Sequence, residues 1–179
     1  MRITIQESLK QVGNTVTIAG FVHSIRNQGK IAFLRVRDIS GSIQVVTGAW
    51  NKEVFDSIKD LSVESVVQIE GLLKESKQVP EGVEIDASSI IIQSLAQPLP
   101  IPVVSEKGAE EVDVTKRFDY RWLDLRKPDS QKIFQVWTVL EQGIREYFSQ
   151  NGFTQLYSPA LMSAPSESGA EVFEVKYFE

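Results

Sequence analysis

The stretch GFVHSIRNQGKIAFLRVRDISGSIQVV, residues 20–46, decides the fold of this chain. It contains segments rich in Val, Ile and Phe, separated by NQGK and DISGS, and both separators hold Gly and polar residues that favour turns. Together with the residues before it, the stretch predicts three strands joined by hairpins, at residues 15–26, 31–38 and 42–47.

Residues 50–95 extend this pattern. A short helix is predicted over residues 50–62, because Val54, Ile58 and Leu61 recur at a spacing of three to four residues. Two further strands are predicted at 64–76 and 83–95, joined by the loop KQVPEG. Three strands, a helix and two strands are typical of the OB-fold, a five-stranded Greek-key barrel, more than of a sandwich.

Composition excludes several classes of protein. The 179 residues are 42% hydrophobic and 24% charged, which is ordinary for a globular protein. No apolar run approaches the roughly 20 residues that span a bilayer, and the N-terminus MRITIQESLK lacks a signal sequence, so we expect a cytoplasmic protein. With no cysteine and a single histidine, His23, no protein-bound zinc is expected.

The charge distribution singles out one region of an acidic chain. The net charge of -5 argues against a nucleic-acid binder that uses its whole surface. Residues 20–37 nevertheless carry Arg26, Lys30, Arg35 and Arg37 and no acidic residue. A solvated strand face remains an alternative interpretation of these charges.

Strand alternation predicts that Phe33, Arg35 and Arg37 share the outer face of the barrel, opposite Ala32, Leu34 and Val36. An outward aromatic ring beside arginines is typical of single-stranded nucleic-acid binding. Alternatives are a ring covered by a loop at the end of the barrel, and an OB-fold that binds sugars or proteins. Gln44 and Glu84 are weaker candidates that could contact base edges from neighbouring strands.

A second unit follows a proline-rich segment. The predicted domains are an OB-fold at residues 1–97, a linker at 98–117 and a second domain at 118–179. The second domain holds a helix over residues 129–152 and a strand, FTQLYSPAL, at 153–161. The helix carries an apolar stripe that so short a domain can barely cover, so we expect the chain to be the N-terminal part of a longer protein. The stripe comprises Ile133, Trp137, Leu140, Ile144 and Phe148.

The C-terminal segment contains Glu167, Ser168 and Gly169 in a polar sequence after Pro159. This composition is typical of a mobile ligand-binding loop, and a disordered tail is the alternative. The sequence holds no Gly-rich phosphate loop, no Ser/His/Asp set and no paired catalytic carboxylates. We therefore expect no catalysis by these 179 residues alone.

The segments RFDYRWLDLRKP and NGFTQLYSPALMSAPSESGAEVFEVKYFE resemble the start of the class II catalytic domain in aspartyl-tRNA synthetases of the archaeal and eukaryotic type. VHSIRNQGKIAFLRVRD and SVESVVQIEGLLK are similar to the anticodon-binding OB-fold of the same family. The resemblance implies an α+β protein: a five-stranded OB-fold barrel, a linker, and the incomplete start of a class II catalytic domain with a long helix and a motif strand.

The resemblance also implies a function. The parent enzyme would activate aspartate with ATP and Mg²⁺, transfer it to tRNA(Asp), and act as a homodimer. The family's second and third motifs, which bind ATP, have no counterpart in this sequence, so the fragment is expected to recognise tRNA without catalysis. Alternatives are a free-standing OB-fold tRNA-binding module, an asparaginyl or lysyl relative, and a natural truncated paralogue.

Individual residues receive roles from the same resemblance. Phe33 would stack on the central anticodon base, while Gln44 and Glu84 would read base edges. Glu167, with Ser168 and Gly169, would belong to the loop that closes over aspartate, and Pro159 would lie at the dimer interface. His23 and Pro80 fall where relatives with relaxed tRNA choice carry His and Pro, which extends the hypothesis to tRNA(Asn). The remaining anticodon candidates are Arg26 and Arg35.

Overall fold

A computed structural model describes residues 2–104, 112–159, 161, 173, 175 and 176. The chain divides into two compact units, Met1–Gln131 and Lys132–Glu179. Each unit is described by itself below.

The first unit is built on a closed five-stranded barrel with the strand order β1-β2-β3-β5-β4. All its strand pairs are antiparallel except β3 with β5, which run parallel. This confirms the predicted OB-fold. The strands and the two helices that accompany them are α1 (Ile5–Ser8), β1 (Thr15–Gln28), β2 (Ile31–Arg37), β3 (Ser42–Gly48), α2 (Lys52–Ser57), β4 (Val66–Glu75) and β5 (Val83–Ser94).

The barrel core follows from period-two alternation along each strand. In β2, Ala32, Leu34 and Val36 are fully buried while the residues between them are partly exposed. Each fully buried aliphatic side chain adds about 1.5 to 3 kcal/mol to the free energy of unfolding. Reversing the alternation of a single strand would therefore lose several such contributions. Other fully buried core residues are Ile18, Val22, Ile43, Val45, Val67, Ile69, Leu73 and Ile85.

Close strand contact requires glycine at position 71. A Cβ atom there would lie 2.3 Å from the backbone oxygen of Asp86 on the neighbouring strand. The register of β4 on β5 also shifts between Glu70 and Gly71. Glycine therefore permits the bend with which these two long strands close the barrel.

Asp38 ties the β2–β3 turn to the start of α1. Its carboxylate accepts hydrogen bonds from the backbone N–H groups of Ser40 (2.7 Å) and Ile5 (2.8 Å). Burial by itself would raise the pKa of Asp38, but these bonds and one from the Ser40 hydroxyl outweigh it and lower the pKa. The ionised carboxylate thus stabilises the junction at neutral pH.

A buried carboxylate joins the barrel to the helices α3 (Val114–Asp119) and α4 (Arg121–Asp124). Glu64, whose side chain is only 3% exposed, accepts hydrogen bonds from Arg37 Nη2 (2.6 and 2.7 Å) and from Arg126 Nη1. The Arg126 guanidinium also lies 4.7 Å from the ring centroid of Phe21 in β1. We call Glu64, Arg37, Arg126 and Phe21 the Glu64 cluster.

The predicted linker contributes to a second, smaller core. Ile101 and Val103 are each 1% exposed and pack with the buried Leu123 of α4. Residues 98–104 therefore contact the α3–α4 segment, and the first compact unit continues to Gln131, beyond the predicted boundary at residue 97. Neither α3 nor α4 was apparent in the sequence.

The second unit consists mainly of α5 (Pro128–Gln150) in its described part. This helix begins one residue before the predicted helix, and its first four residues belong to the first unit. Gly152 has φ +81°, as predicted for the left-handed residue after the helix. The predicted apolar stripe is exposed; Trp137, for example, is 62% accessible.

The strand predicted at residues 153–161 was wrong for its described part, since residues 153–159 and 161 form no strand. A single strand is stable only when its backbone pairs with a neighbour. The described residues of the second unit provide no other strand to pair with.

Replacing Glu64 with Gln tests the cluster. The substitution keeps the side-chain shape but leaves two arginines without a carboxylate. It should lower the free energy of unfolding by about 2 kcal/mol, less than for a fully buried pair because both guanidinium groups are partly exposed. Urea unfolding followed by circular dichroism measures the change. Asp56→Asn, which removes the exposed pair with Lys59, is the control and should have little effect; equal losses in both variants would contradict the assignment.

Candidate nucleic-acid interface

A pocket of about 280 Å³ opens on the outer face of the barrel. Side chains from β1, β2 and β3 form it together with the β4–β5 loop. It collects most of the predicted anticodon residues in one place. The predicted residues that line it are Arg26, Phe33, Arg35, Gln44 and Pro80. Four further residues complete the lining: Ser24, Leu34, Gln78 and Val79.

Sheet register explains why these residues meet. Arg26 of β1 lies opposite Phe33 of β2. The neighbouring row runs across four strands, from Ser24 to Arg35, Gln44 and Glu84. Because the barrel core fixes the inward face of each strand, both rows point outward. The predicted outward orientation of Phe33 and Arg35 is confirmed.

Gln44 and Glu84 form a polar pair at the end of the second row. Gln44 Nε2 donates a hydrogen bond of 2.8 Å to Glu84 Oε2. Since an ionised carboxylate only accepts hydrogen bonds, this contact orients the amide with Nε2 toward Glu84 and leaves the amide oxygen directed elsewhere. The pair therefore offers acceptors, from the amide oxygen and the second carboxylate oxygen, that suit the N–H groups of a nucleobase edge.

Arg35 is already engaged by a carboxylate. Its Nη1 donates to Glu81 Oε2 (2.9 Å), Nη2 donates to Glu81 Oε1, and Nε donates to Ser42 Oγ (3.1 Å). Burial alone would raise the pKa of Glu81, but the hydrogen bonds from Arg35 outweigh it and lower the pKa. The guanidinium therefore lies beside the pocket with three of its donor positions in use.

Arg37 lies outside the pocket. It is on the same face of β2 as Phe33, as predicted, but its guanidinium is bonded to Glu64. Among the residues that the structure describes, Arg26 and Lys30 have no ion pair, and both are exposed on the hairpin that joins β1 to β2. These two cations, more than Arg35 and Arg37, are the ones presented to a ligand.

His23 occupies a bulge in β1 and does not line the pocket. The register of β1 on β2 shifts between Val22 and Ser24, which places His23 as the extra residue. Burial, together with the charge of Arg37, lowers the pKa of His23 and keeps the ring neutral at pH 7. Its buried Nδ1 has no hydrogen-bond partner among the described residues.

The remaining predicted residues fall at different places. Pro80 is in the β4–β5 loop and lines the pocket, whereas Pro159 is exposed after α5, in the second unit. Glu167, Ser168 and Gly169 lie outside the residues that the structure describes. Their role in an aspartate-binding loop stays a prediction.

Two carboxylates escaped the sequence analysis. Glu81 contacts Arg35 across 46 positions of sequence, and Glu64 contacts Arg126 across 62. No local spacing signals such pairs. The parallel pairing of β3 with β5 brings the β4–β5 loop beside β2. From that pairing, the contact of Glu81 with Arg35 could have been inferred.

The described residues contain no group of three or more His, Cys, Asp or Glu side chains that could hold a metal ion. They therefore give no donor set that fits the Mg²⁺ implied by the resemblance.

Within the same part of the chain, no helix is both long and apolar enough to cross a membrane.

Family comparisons agree with this geometry. Residues 16–93 match the family described as OB-fold nucleic acid binding domain, which contains the whole pocket. The barrel is thus similar to nucleic-acid-binding OB-folds. Residues 113–178 match the family described as tRNA synthetases class II (D, K and N). The chain is thus similar to class II synthetases, and two relatives that match 99–100% of its length are named aspartate–tRNA(Asp/Asn) ligases.

Two relatives illustrate the match. The aspartate–tRNA(Asp/Asn) ligase of Methanocorpusculum labreanum is 39% identical over 182 residues, covering 100% of this chain and 42% of the relative. The aspartate–tRNA(Asp) ligase of Picrophilus torridus is 36% identical over 165 residues, covering 92% of this chain and 38% of the relative. The chain therefore spans about two fifths of the length of these relatives.

Solved synthetases share the fold. Asparaginyl-tRNA synthetase from Pyrococcus horikoshii, complexed with asparaginyl-adenylate, aligns with a TM-score of 0.84 and 30% identity over 99% of this chain and 41% of its own. A putative aspartyl-tRNA synthetase from Leishmania major Friedlin aligns with a TM-score of 0.82 and 28% identity, over 99% and 37%.

Adjacent residues of β2 provide a test of the pocket geometry. Phe33→Ala should lower the free energy of unfolding by about 1 kcal/mol, because the ring is on the outer face. Leu34→Ala, its matched control, empties a fully buried site and should cost about 3 kcal/mol. Urea unfolding of both variants measures the difference. A Phe33→Ala loss as large as that of Leu34→Ala would show that the ring belongs to the core.

Proposed function

We propose that the barrel binds the anticodon loop of tRNA(Asp), as part of an aspartate–tRNA ligase. The observation that carries this proposal is one pocket lined by an outward aromatic ring, Phe33, and by Gln44, whose amide is hydrogen-bonded to Glu84 just outside the lining. A ring supplies a stacking platform for an unpaired base, and the polar pair supplies hydrogen-bond acceptors for its edge. The family match over residues 16–93 and the names of the relatives support the same function.

The cations divide into two groups in this proposal. Arg26 lines the pocket from β1, and Lys30 lies on the adjoining hairpin; both are suited to phosphate contacts. Arg35 and Arg37 are held by Glu81 and Glu64 and would contribute less to the salt dependence of binding. Arg26 and Lys30 therefore place two exposed positive charges at one edge of the pocket.

The complete ligase activates aspartate and transfers it to the tRNA 3′ end, with ATP and Mg²⁺ as its cofactors. The relatives' names support the ligation of aspartate to tRNA, whereas ATP and Mg²⁺ come from the family resemblance. None of the described residues is assigned to that chemistry. In the parent, Pro159 lies at the homodimer interface, and Glu167 with Ser168 and Gly169 closes over aspartate. An asparaginyl-type parent is the second candidate, since Pyrococcus horikoshii asparaginyl-tRNA synthetase shares the fold at 30% identity.

The choice of tRNA rests on His23 and Pro80. One relative is named for tRNA(Asp/Asn) and another for tRNA(Asp) alone. We favour the relaxed choice, in which the barrel accepts the asparagine anticodon as well. Pro80 lines the pocket directly. His23 lies beside the Glu64 cluster and would influence the choice of tRNA indirectly, through Arg37.

Stem-loop binding tests the proposal. At one stated salt concentration, the chain should bind an aspartate anticodon stem-loop more tightly than the same loop with its central base changed, and Phe33→Ala should weaken binding by about 1 to 3 kcal/mol. An asparagine anticodon stem-loop is the third ligand. Equal binding to the aspartate and central-base-changed loops would contradict anticodon reading, and a strong preference for aspartate over asparagine would contradict the relaxed choice.

Salt dependence tests the assignment of the cations. Arg26→Gln should weaken binding of every stem-loop to a similar degree and reduce the slope of log affinity against log salt by about 1. Lys59→Gln, which removes an exposed lysine after α2 that is paired with Asp56, is the control and should leave the slope unchanged. If Arg26→Gln leaves the slope unchanged, Arg26 makes no phosphate contact.

A further inference from the structure

We propose that Glu81 is a positioning residue for anticodon recognition, because its ion pair with Arg35 holds the β4–β5 loop against the base pocket. We call this pair the Glu81–Arg35 clamp. The inference deepens the function proposed above and rests on it. It gives Arg35 a role different from the phosphate contact that its sequence context suggests.

The geometry of the clamp is bidentate. Two guanidinium nitrogens of Arg35 donate to the two carboxylate oxygens of Glu81, and the third nitrogen, Nε, donates to Ser42 Oγ at 3.1 Å. A bidentate pair fixes direction as well as distance. Its side chains are only 22% and 20% exposed, so solvent screens the pair less than a fully exposed one.

The loop needs such a contact to keep its position. Backbone bonds close it at its base: Ser76 N–H donates to Gly82 O (2.8 Å), and Gly82 N–H donates to Val79 O (3.0 Å). Of the side-chain hydrogen bonds in the described part of the chain, only those of the clamp join this loop to β2. The clamp therefore adds a direct polar link to β2 to the packing of Val79, which is 8% exposed, and so holds the loop near Phe33.

The position of the loop defines one wall of the pocket. Gln78, Val79 and Pro80 line it, and they directly precede Glu81 in sequence. On the other side of the clamp, Arg35 lies opposite Gln44 in the sheet register. A shift of the clamp would thus move the loop wall and disturb the residue that reads the base edge.

An alternative role for the pair is to withhold Arg35 from RNA phosphate until RNA binds. That role requires Arg35 to leave both Glu81 and Ser42, and it leaves an acidic side chain at the RNA surface. Arg26 and Lys30 already offer exposed cations without that rearrangement. The contacts therefore favour a clamp that stays closed when RNA binds.

Three variants of the full 179-residue chain test the clamp: Glu81→Gln, the charge exchange Glu81→Arg with Arg35→Glu, and Glu75→Gln as a control at an exposed glutamate of the same hairpin. The probes are the aspartate anticodon stem-loop and the same loop with its central base changed. Glu81→Gln should reduce the ratio of the chain's affinities for the two RNA stem-loops about fivefold. The charge exchange should restore much of the ratio, and Glu75→Gln should preserve it.

Other outcomes overturn the proposal. If Glu81→Gln binds both loops more tightly with a steeper salt dependence, Glu81 withholds Arg35 from phosphate and is not a clamp. An unchanged ratio in a chain that does discriminate refutes the clamp while preserving the proposed function. Failure of the unaltered chain to distinguish the loops refutes the proposed function, and the role of the clamp in recognition with it.

Hydrogen exchange without RNA separates positioning from folding. In Glu81→Gln, the Gly82 amide should exchange faster because the loop opens more often, while core amides such as Leu34 keep their protection. The charge exchange should slow Gly82 again. Faster exchange throughout the barrel would mean that Glu81 only stabilises the fold, and no change at Gly82 would mean that the pair does not hold the loop.

Discussion

The strict alternation of buried and exposed residues along β2 is the constraint on which the first unit depends. Leu34 and Val36 are fully buried. Of their paired neighbours on β1 and β3, Val22, Ile43 and Val45 are fully buried and Ile25 is partly buried. A shift of one residue would expose the aliphatic side chains and bury arginines, which is prohibitive. The same constraint fixes Phe33 and Arg35 on the outer face, so the barrel core determines the site without contributing to its chemistry.

Carboxylates then determine which cations a ligand meets. Glu81 engages Arg35 beside the pocket, and Glu64 engages Arg37 and Arg126 at the junction with the α3–α4 segment. Arg26 and Lys30 remain exposed on the β1–β2 hairpin. A chain with a net charge of -5 can thus present a small positive region while its other arginines stabilise local structure.

Glu64 also adopts φ +71°, an uncommon conformation for a residue other than glycine. The contacts to two arginines compensate for this conformation.

The sequence predicted local features well and distant contacts poorly. Alternation at residues 31–37 predicted the outer face of β2, and Gly152 predicted the end of α5, because both depend on neighbouring residues. The Glu81–Arg35 and Glu64–Arg126 pairs could not be predicted, because they depend on which strands and loops meet in the closed barrel. The strand at 153–161 was predicted from its local sequence and from the family resemblance, and neither of these identifies a pairing partner within the described residues. Gln44 and Glu84 were weak candidates as single residues; their significance came from the family resemblance, and the hydrogen bond between them supports it.

The most direct test of the account is where RNA contacts the chain. An aspartate anticodon stem-loop titrated into isotope-labelled protein should shift the NMR signals of Phe33, Gln44 and Glu84, including the side-chain amide protons of Gln44. Signals from α2, which does not line the pocket, should stay in place. Shifts confined to α5, or no shifts with an otherwise folded protein, would contradict the claim that the outer pocket of the barrel reads the anticodon.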